Sequence, residues 1–521
     1  MHGRSSISRR QMLRLTAGAA AGVALPVVGI SSCSSENSTE TSTPLAPADP
    51  DPSITPIPLP IPEMLVGSVI NLEMRPGQRE LIRDKMTPTK GYNGDYLGPT
   101  LFLRSGMDVS LNVTNNIGVS TTTHWHGMHV PALMDGGPHQ RIEPGAVWTS
   151  SFPVLNRAAT YWYHPHPHAG LGQGVIFDPA STGYQVYEGL AGMIIVEDGT
   201  SDAMLLPRTY GEDDIPLILQ DRRFQDGGAL LHFPSDFNPT RDPALRKGGR
   251  FLVNGAEAPF LEVGAQVVRL RILNASNARI YNLGFSDDRT FFQVASDGGF
   301  LRAPVPLSRL LLSPAERAEI LVDLGSDLGT TLKLRSFNSG LGTSLVPFPL
   351  QDSWDTADFD LLDITVGPTR SNAVLTIPAG LTTIDPIPEA EAINLASARP
   401  FELAANPFGI NGKRMDMNVI DDRIRLGDTE VWEITNPTTQ AHPFHVHGDS
   451  FQVLTRNGFT PPENELGWKD VVLVRPFETV RIVKRFHDYA DSVNPYMFHC
   501  HILEHEDVGM MGQFVVEDGV P

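Results

Sequence analysis

The 521-residue sequence is short of cysteine, of basic residues and of thioether donors in its middle third. Only two cysteines occur, Cys33 and Cys500, and if one carries a lipid and the other binds a metal, no disulfide is left to support the fold. Forty basic side chains stand against sixty acidic ones, for a formal net charge of −20. This balance favours solubility and argues against nucleic acid as a partner. No methionine occurs between Met204 and Met415.

Long hydrophobic runs are also missing, except for residues 15–30 near the N-terminus. Arg9-Arg10 precedes this run in a twin-arginine pattern, which is an export address. The run is short for a membrane span and fits a signal peptide, predicted to be residues 1–32. Residues 30–33 resemble a bacterial lipobox and predict a lipid on Cys33, with an ordinary signal peptide cut nearby as the alternative. The mature protein is therefore expected in the periplasm or at the cell surface, with possible anchoring to a membrane through Cys33.

The remaining chain reads as a spacer followed by short strands. Residues 33–62 are rich in Ser, Thr and Pro, a composition that stays disordered. Beyond them, short alternating runs such as residues 108–113, 267–273 and 479–483 are separated by turn residues, which indicates β-sandwiches. A similar pattern, an alternating strand followed by Asn, recurs weakly along the chain and suggests three related domains. The predicted fold class is all-β, with domains at residues 63–200, 201–368 and 369–521.

Ten of the sixteen histidines form four tight clusters, and each cluster contains a His-x-His pair. On a strand, such a pair places both imidazoles on one face. The C-terminal cluster also holds Cys500, between His499 and His501, with Met510 ten residues further on. Two imidazoles, a thiolate and a weak axial thioether are the donor set of a blue-copper site. In an extended strand Cys500 faces away from its two histidine neighbours, so one tripeptide could join two metal centres.

These motifs make the chain resemble the three-domain multicopper oxidases, in the branch of bacterial laccases, copper-efflux oxidases and bilirubin oxidases. Further phrases carry the resemblance, namely Asp135-Gly136-Gly137-Pro138, Ser296-Asp297-Gly298-Gly299 and Gly467-Trp468-Lys469-Asp470. The resemblance implies three cupredoxin-like Greek-key sandwiches and four copper ions. It places a three-copper cluster between the first and third domains. The middle domain, which offers only His232, is then expected to be a connector.

Carried over position by position, the resemblance implies three kinds of copper site. The type 1 copper would be held by His442, Cys500, His505 and Met510. Met511 competes for the axial place, but the spacing from His505 favours Met510. The type 2 copper would be held by His124 and His445. The type 3 pair would be held by His126, His164, His166, His447, His499 and His501. Apart from His2 in the predicted signal peptide, the other five histidines are interpreted as structural or surface residues, and these are His129, His139, His168, His232 and His487.

Two carboxylates match acidic residues that the family places beside its three-copper cluster. Reducing dioxygen to water consumes four protons, so general acids are needed there. Asp135 matches the residue beside the type 2 copper, and Glu506 matches the one on the proton path to the type 3 pair. Both are candidate catalytic residues, and either could instead only orient a ligand histidine.

The electron donor is less closely specified than the copper sites. The chain differs from copper-efflux oxidases, because it lacks their methionine-rich insert. Thr438 and Gln440 also precede His442 where those enzymes carry acidic and Met residues. These departures favour an open site for phenols, aromatic amines or bilirubin-like pigments. Met415 and Met417, which flank Asp416, keep cuprous-ion oxidation as an alternative.

Two other functions are alternatives to an oxidase, namely a division factor without copper and a protein that only sequesters copper. Division factors of this architecture that work without copper are expected to lose ligands, whereas this chain keeps all ten clustered histidines. A protein that only sequesters copper needs no thiolate between two histidines. The expected partners are therefore dioxygen and a small aromatic donor, with metal ions as the alternative donor, and the expected state is a monomer.

Overall fold

The computed structural model describes residues 56–170, 175–232, 246–347, 351–405 and 407–519. Cys33, the predicted signal peptide and most of the predicted spacer lie outside these residues. The described chain consists mainly of strands, with three α-helices at α1 Thr182–Tyr187, α2 Gly199–Asp202 and α3 Leu503–Asp507. Within the described residues, no helix combines the length and apolar character needed to cross a membrane.

The first sandwich has two sheets, with strand orders β1-β4-β9-β8-β6 and β3-β2-β5-β7. Its strands are β1 Met64–Val66, β2 Val69–Ile82, β3 Lys85–Tyr92, β4 Thr100–Arg104, β5 Asp108–Asn115, β6 His124–His126, β7 Val147–Pro153, β8 Ala159–His164 and β9 Gly192–Glu197.

The second sandwich has sheets of seven and five strands, in the orders β12-β11-β10-β14-β19-β16-β17 and β13-β21-β20-β15-β18. Its strands are β10 Asp214–Arg222, β11 Arg250–Val253, β12 Ala256–Glu257, β13 Phe260–Gly264, β14 Val267–Asn274, β15 Tyr281–Phe285, β16 Phe291–Ser296, β17 Gly299–Leu307, β18 Leu310–Leu312, β19 Arg317–Asp323, β20 Thr331–Phe337 and β21 Asp358–Gly367.

The third sandwich has two five-stranded sheets, in the orders β23-β22-β25-β29-β27 and β24-β31-β30-β26-β28. Its strands are β22 Arg399–Ala405, β23 Phe408–Ile410, β24 Asp422–Arg425, β25 Thr429–Thr435, β26 His442–Val446, β27 Gln452–Arg456, β28 Val471–Val474, β29 Thr479–Arg485, β30 Asp491–Cys500 and β31 Met511–Glu517.

Alternation of apolar and polar residues explains why these segments form two-layered sandwiches. In β5, Val109, Leu111 and Val113 are buried while the residues between them are more exposed. Successive side chains of a strand point to opposite faces, so one face packs inward. Each sandwich has its own large apolar core. The predicted all-β fold with cupredoxin-like sandwiches is confirmed.

A buried polar network fixes the second sandwich against the first. Arg271 of β14 bonds Glu197 of β9 at 2.7 Å, and also bonds Asp214 and Glu319 within its own sandwich. Glu319 in turn accepts the hydroxyl of Thr160 in β8 at 2.8 Å. These groups are nearly or fully buried, so the charges are paired across the contact rather than solvated.

Candidate metal centres

The sulfur-containing group lies inside the third sandwich, at the end of β30. Phe444 of β26 pairs with Cys500 of β30, which brings His442 at the start of β26 close to the thiol. The Cys500 sulfur lies 3.5 Å from His442 Nδ1 and 3.6 Å from His505 Nδ1. The chain then turns through α3, which returns Met510 beside the cysteine. We call His442, Cys500, His505 and Met510 the cysteine site.

Met510 and Met511 point into different surroundings. Met510 belongs to the same buried cluster as Cys500, and its carbonyl accepts the Cys500 amide at 3.1 Å. Met511 packs with Met415 and Met497 in a separate group. Because neighbouring residues of a strand face opposite sides, only Met510 lies on the cysteine side.

Burial sets the protonation of the cysteine site. Burial raises the pKa of the Cys500 thiol well above its usual range, lowers the pKa of His442 to about 3 and lowers the pKa of His505 well below its usual value. Both imidazoles are therefore neutral and able to act as ligands. A thiol in such surroundings loses its proton only when a cation replaces it.

Eight further histidines meet between the first and third sandwiches, and we call them the eight-histidine cluster. Pairing of β6 with β8 places His124 opposite His164, and pairing of β26 with β30 places His445 opposite His499. The donor atoms converge in three groups that a single ion could reach. These groups are His126 with His164 and His501, His166 with His447 and His499, and His124 with His445 and His447.

The rings approach each other closely enough to share ions. His166 Nε2 and His447 Nε2 lie 3.1 and 3.3 Å from His499 Nε2. His126 Nδ1 lies 3.4 Å from His164 Nε2. Across the contact between sandwiches, the His124 ring stacks on that of His447 with centroids 3.9 Å apart. The cluster is thus assembled from both ends of the chain.

Unpartnered nitrogens show that copper fits these residues. His124 Nε2, His445 Nε2 and both nitrogens of His501 are buried and find no hydrogen-bond partner among the described residues. Such atoms are costly to bury unless something binds them. Burial, followed by neighbouring imidazoles, lowers the pKa of His126, His166 and His447. Neutral imidazoles around a common point, beside a His₂CysMet set, are the donors that copper prefers.

Asp135 and Glu506, predicted from the sequence, both contact the cluster. Asp135 Oδ2 accepts the Nδ1–H of His447 at 2.6 Å, and its carbonyl accepts that of His124 at 2.8 Å. Glu506 lies 3.4 Å from His166 Nδ1 and 3.2 Å from His499 Nδ1. Burial raises the pKa of both carboxyl groups. Asp135 therefore fixes two ligand rings, while Glu506 is positioned to hold a proton.

Two residues beside the cluster were not predicted to have a role, although Asp470 lies in one of the family phrases. Asp470 Oδ1 accepts the Nε2–H of His126 at 3.1 Å, and its carbonyl accepts the Nδ1–H of His445 at 2.7 Å. Both histidines are thereby held with their other nitrogens towards the centre.

Arg317 is the second of these residues, and it gives the middle sandwich, which the sequence predicts to be a connector, a contact with the surroundings of the cluster. It begins β19 and binds the Asp470 carboxylate with two N–H groups. Its other three N–H groups donate to the carbonyls of Thr160, Asp297 and Ala315. The second sandwich thus supports the eight-histidine cluster, and a lone arginine in the sequence carries no signal of this.

The cysteine site is more enclosed than the sequence suggests. His442 and His505 are essentially buried. The Nε2–H of His442 donates to Thr438 Oγ1 at 3.0 Å, and Phe408 stacks on His505 with centroids 4.1 Å apart. The expected open site is therefore wrong for these two edges, because one hydroxyl and one aromatic ring cover them.

Three of the remaining histidines behave as structural residues. His139 Nε2 contacts Gln513 at 2.8 Å, and His232 stacks on Tyr184. His168 is buried, and burial lowers its pKa to about 4.

Comparisons with family models and with individual proteins point to the same family. Sequence models described as multicopper oxidase match residues 73–201 and 387–520. The chain is 36% identical to multicopper oxidase mco of Staphylococcus haemolyticus over 449 residues, which covers 85% of this chain and 88% of that protein. It is also 37% identical to the cell division protein FtsP of Yersinia pestis over 438 residues, covering 83% of this chain and 85% of that protein.

Solved structures agree with this assignment. The laccase-like multicopper oxidase CueO of Ochrobactrum sp. matches with a TM-score of 0.78 and 34% identity, over 88% of this chain and all of that one. McoA of Aquifex aeolicus matches with a TM-score of 0.78 and 33% identity, over 89% of this chain and all of that one. With its histidine groups and buried thiol, the chain belongs to the multicopper oxidase family, and it is an oxidoreductase that uses copper, dioxygen and a reducing substrate.

Proposed function

We propose that the protein is a laccase-like oxidase with four coppers, one in the cysteine site and three in the eight-histidine cluster. Its donors are phenols or aromatic amines, each losing one electron, and four electrons and four protons convert one dioxygen to two waters. The observation that carries this proposal is the tripeptide at residues 499–501. Cys500 belongs to the cysteine site, while His499 and His501 belong to different groups of the cluster.

Bound copper would supply one-electron acceptance from the donor and four-electron reduction of dioxygen. The chain supplies the geometry for this chemistry. Asp135 and Asp470 fix ring tautomers, so that ligand nitrogens face inward without rearrangement. Glu506 would hold a proton within 3.4 Å of His166 Nδ1, next to the cluster. Asp135 and Glu506 are thus the proposed proton-handling carboxylates of the reaction.

Contacts at the cysteine site support an aromatic donor. Phe408 presents a partly exposed ring directly over the His505 imidazole, and an aromatic molecule can pack on such a face. The two side chains before His442 that could contact a soft ion are Thr438 and Gln440, and neither is a soft ligand. The Ochrobactrum relative has oxidase activity towards lignin model compounds and lignosulfonate, which agrees with this class of donor.

Oxidation of cuprous ion is the second candidate, because one feature favours it. Met415, Met497 and Met511 form a buried thioether group with Met417 packed against it. Thioethers suit cuprous ion. A bilirubin-like pigment would also fit the aromatic class of donor.

Dioxygen uptake by the copper-loaded protein separates the two candidates. Initial rates are compared for a substituted phenol and a stabilised cuprous salt, each with and without added cupric ion. We expect rapid uptake with the phenol alone. Phenol oxidation that needs added cupric ion, with rapid consumption of cuprous salt without it, would replace the laccase-like proposal by the metal-oxidase one. No uptake with any donor would instead favour a role like that of the division protein.

Phe408 can be tested as the donor contact. Phe408→Ala should raise the apparent KM for the phenol, because the donor loses the ring against which it packs. Phe459→Ala is the matched control, since Phe459 is an exposed phenylalanine of the same sandwich. Equal KM values for the two variants would remove Phe408 from the proposed donor site.

Export by the twin-arginine route and anchoring through Cys33 also belong to this proposal. One lipid chain binds membranes only marginally, whereas two chains anchor a protein. A diacylated Cys33 should therefore keep the enzyme with membranes at the periplasmic or cell-surface side. Fractionation of wild type and Cys33→Ala tests this, and equal recovery in the soluble fraction would indicate a free exported enzyme.

A further inference from the structure

Two histidines outside the eight-histidine cluster and the cysteine site meet where the first and third sandwiches touch. His129 follows β6 of the first sandwich, and His487 lies between β29 and β30 of the third. Their ring centroids are 5.0 Å apart, with the planes inclined by 65°. Asp488 lies between them, and its Oδ2 contacts a nitrogen of each ring. The sequence predicted both histidines to be structural or surface residues.

The hydrogen bonds of His129 determine which of its nitrogens carries the proton. Its Nδ1 contacts the carbonyl of Gly448. A carbonyl can only accept, so Nδ1 must be the N–H donor. In neutral imidazole the Nε2 atom then presents a lone pair. That lone pair lies 2.9 Å from Asp488 Oδ2, which is itself an acceptor.

His487 presents the same arrangement from the other side. Its Nε2 lies 3.3 Å from Asp449 Oδ2, and this carboxylate can accept the N–H of the Nε2–H tautomer. Its Nδ1 faces the same Asp488 oxygen that His129 faces. In the Nε2–H tautomer of His487, three acceptor atoms converge when both rings are neutral: His129 Nε2, His487 Nδ1 and Asp488 Oδ2. One metal cation would satisfy all three atoms at once, whereas without it protons on the rings must do so.

We propose that His129 Nε2, His487 Nδ1 and Asp488 Oδ2 form a binding site for a divalent d-block cation, Zn²⁺ or Cu²⁺. Two imidazoles and one carboxylate are a ligand set used for such ions, with a further position left for water. The Gly448 carbonyl and the Asp449 carboxylate act as outer partners, because metal-binding histidines donate their second N–H to groups of this kind.

Charge and access are compatible with a cation at this site. Asp488 and Asp449 supply two negative charges. The nearby cations have partners of their own, because the Lys484 ammonium donates to the Asp449 carbonyl, Arg157 lies over the Trp468 ring and Arg485 pairs with Glu391. The side chains of His487 and Asp488 are 42% and 47% exposed. An ion can therefore reach its ligands from solvent without opening the fold.

The position of the site gives the ion a structural consequence. His129 and His487 line a small groove that also touches His447 of the eight-histidine cluster. A cation held there would join the first and third sandwiches beside the contact that forms the cluster. The site shares no ligand with the proposed copper centres, so failure of either proposal leaves the other intact.

Equilibrium dialysis of the copper-loaded protein against zinc sulfate tests the proposal, with metal content measured by mass spectrometry. Wild type should bind one zinc ion beyond its copper, without loss of copper. His487→Gln and Asp488→Asn should each weaken zinc binding by at least about tenfold, because each removes a direct ligand and the loss of an outer partner alone typically costs about 10–100-fold. Both side chains are partly exposed, so these changes should leave the fold intact.

His232→Gln is the matched control, because His232 also lies near a carboxylate, with Nε2 3.9 Å from Glu188. It should bind zinc as wild type does. Anomalous scattering at the zinc edge should show one peak between His129, His487 and Asp488. Wild type that binds no additional zinc at millimolar concentration, or variants that bind it equally well, would overturn the site. The two histidines would then be protonated partners of Asp488.

Discussion

Replacing Arg317 by methionine tests whether the middle sandwich supports the metal centres. Methionine keeps much of the length of the side chain but removes all five N–H donors. In the structure, two of these donors bind Asp470 and three bind carbonyl oxygens. Removing one partner of a fully buried ion pair costs about 3–5 kcal/mol. The variant should therefore unfold at lower temperature than wild type.

The functional effect follows from the charge left on Asp470. Burial already raises the pKa of this carboxyl group, and Arg317 opposes that rise. Without the guanidinium, Asp470 is more readily protonated and no longer holds the Nε2–H of His126. Loss of such an outer partner typically weakens metal binding or activity by about 10–100-fold. We expect copper loss from the eight-histidine cluster, with the cysteine site still filled.

Copper content per chain, the thiolate-to-copper absorption band and the rate of reoxidation by dioxygen are the assays. Arg289→Met is the matched control, because Arg289 also binds two carboxylates in the second sandwich, but near the surface. Arg317→Lys retains the charge and should recover part of the copper. Full copper content and wild-type reoxidation in Arg317→Met would refute the proposed support.

Three further predictions concern other parts of the chain. Cys500→Ser should abolish the thiolate-to-copper band and the oxidase activity, and a serine variant that stays blue would exclude Cys500 as a ligand. Asp135→Asn and Glu506→Gln should keep that band but slow reoxidation of the reduced enzyme, whereas unchanged rates would leave both residues as ring-orienting groups only. Burial raises the pKa of Glu319, but Arg269 and Arg271 more than offset this and lower it to about 2. The resulting stabilisation, about 3 kcal/mol, is complete above the unfolded pKa of about 4.5 and is lost as the pH falls through about 2. In Glu319→Gln, this loss of stability at low pH should disappear, which unfolding midpoints measured over a pH series would show.

The sequence was most informative where spacing alone determines geometry. His-x-His pairs on short strands and a cysteine between two histidines require a particular placement of side chains, and the structure brings these donors together as three histidine groups and one thiol group. The spacing from His505 favours Met510 over Met511 as the axial residue, and the structure places Met510 in the same cluster as Cys500. The two methionines are adjacent in sequence, yet their side chains belong to different buried clusters.

Contacts between distant segments could not be predicted from local patterns. Arg317 and Asp470 are 153 positions apart, and each is unremarkable in its own stretch. The site at His129 and His487 escaped for the same reason, since each residue alone reads as a surface histidine. The cover over His505 also depends on Phe408, whose neighbourhood in the sequence shows only a turn and a short strand.

Stacking of first-sandwich rings on third-sandwich rings has a consequence for how the protein matures. His124 stacks on His447 and His126 stacks on His445, with centroids 3.9 and 3.8 Å apart. Strand β30, which supplies His499, is the last but one of the chain, so a growing polypeptide exposes early histidines long before their counterparts exist. Nascent or truncated chains then lack the convergent donors, and high affinity for metal appears only when both ends have docked. Copper that binds only the docked state also stabilises the docked state by its binding free energy. Two separately expressed halves should therefore associate more tightly with copper than without it.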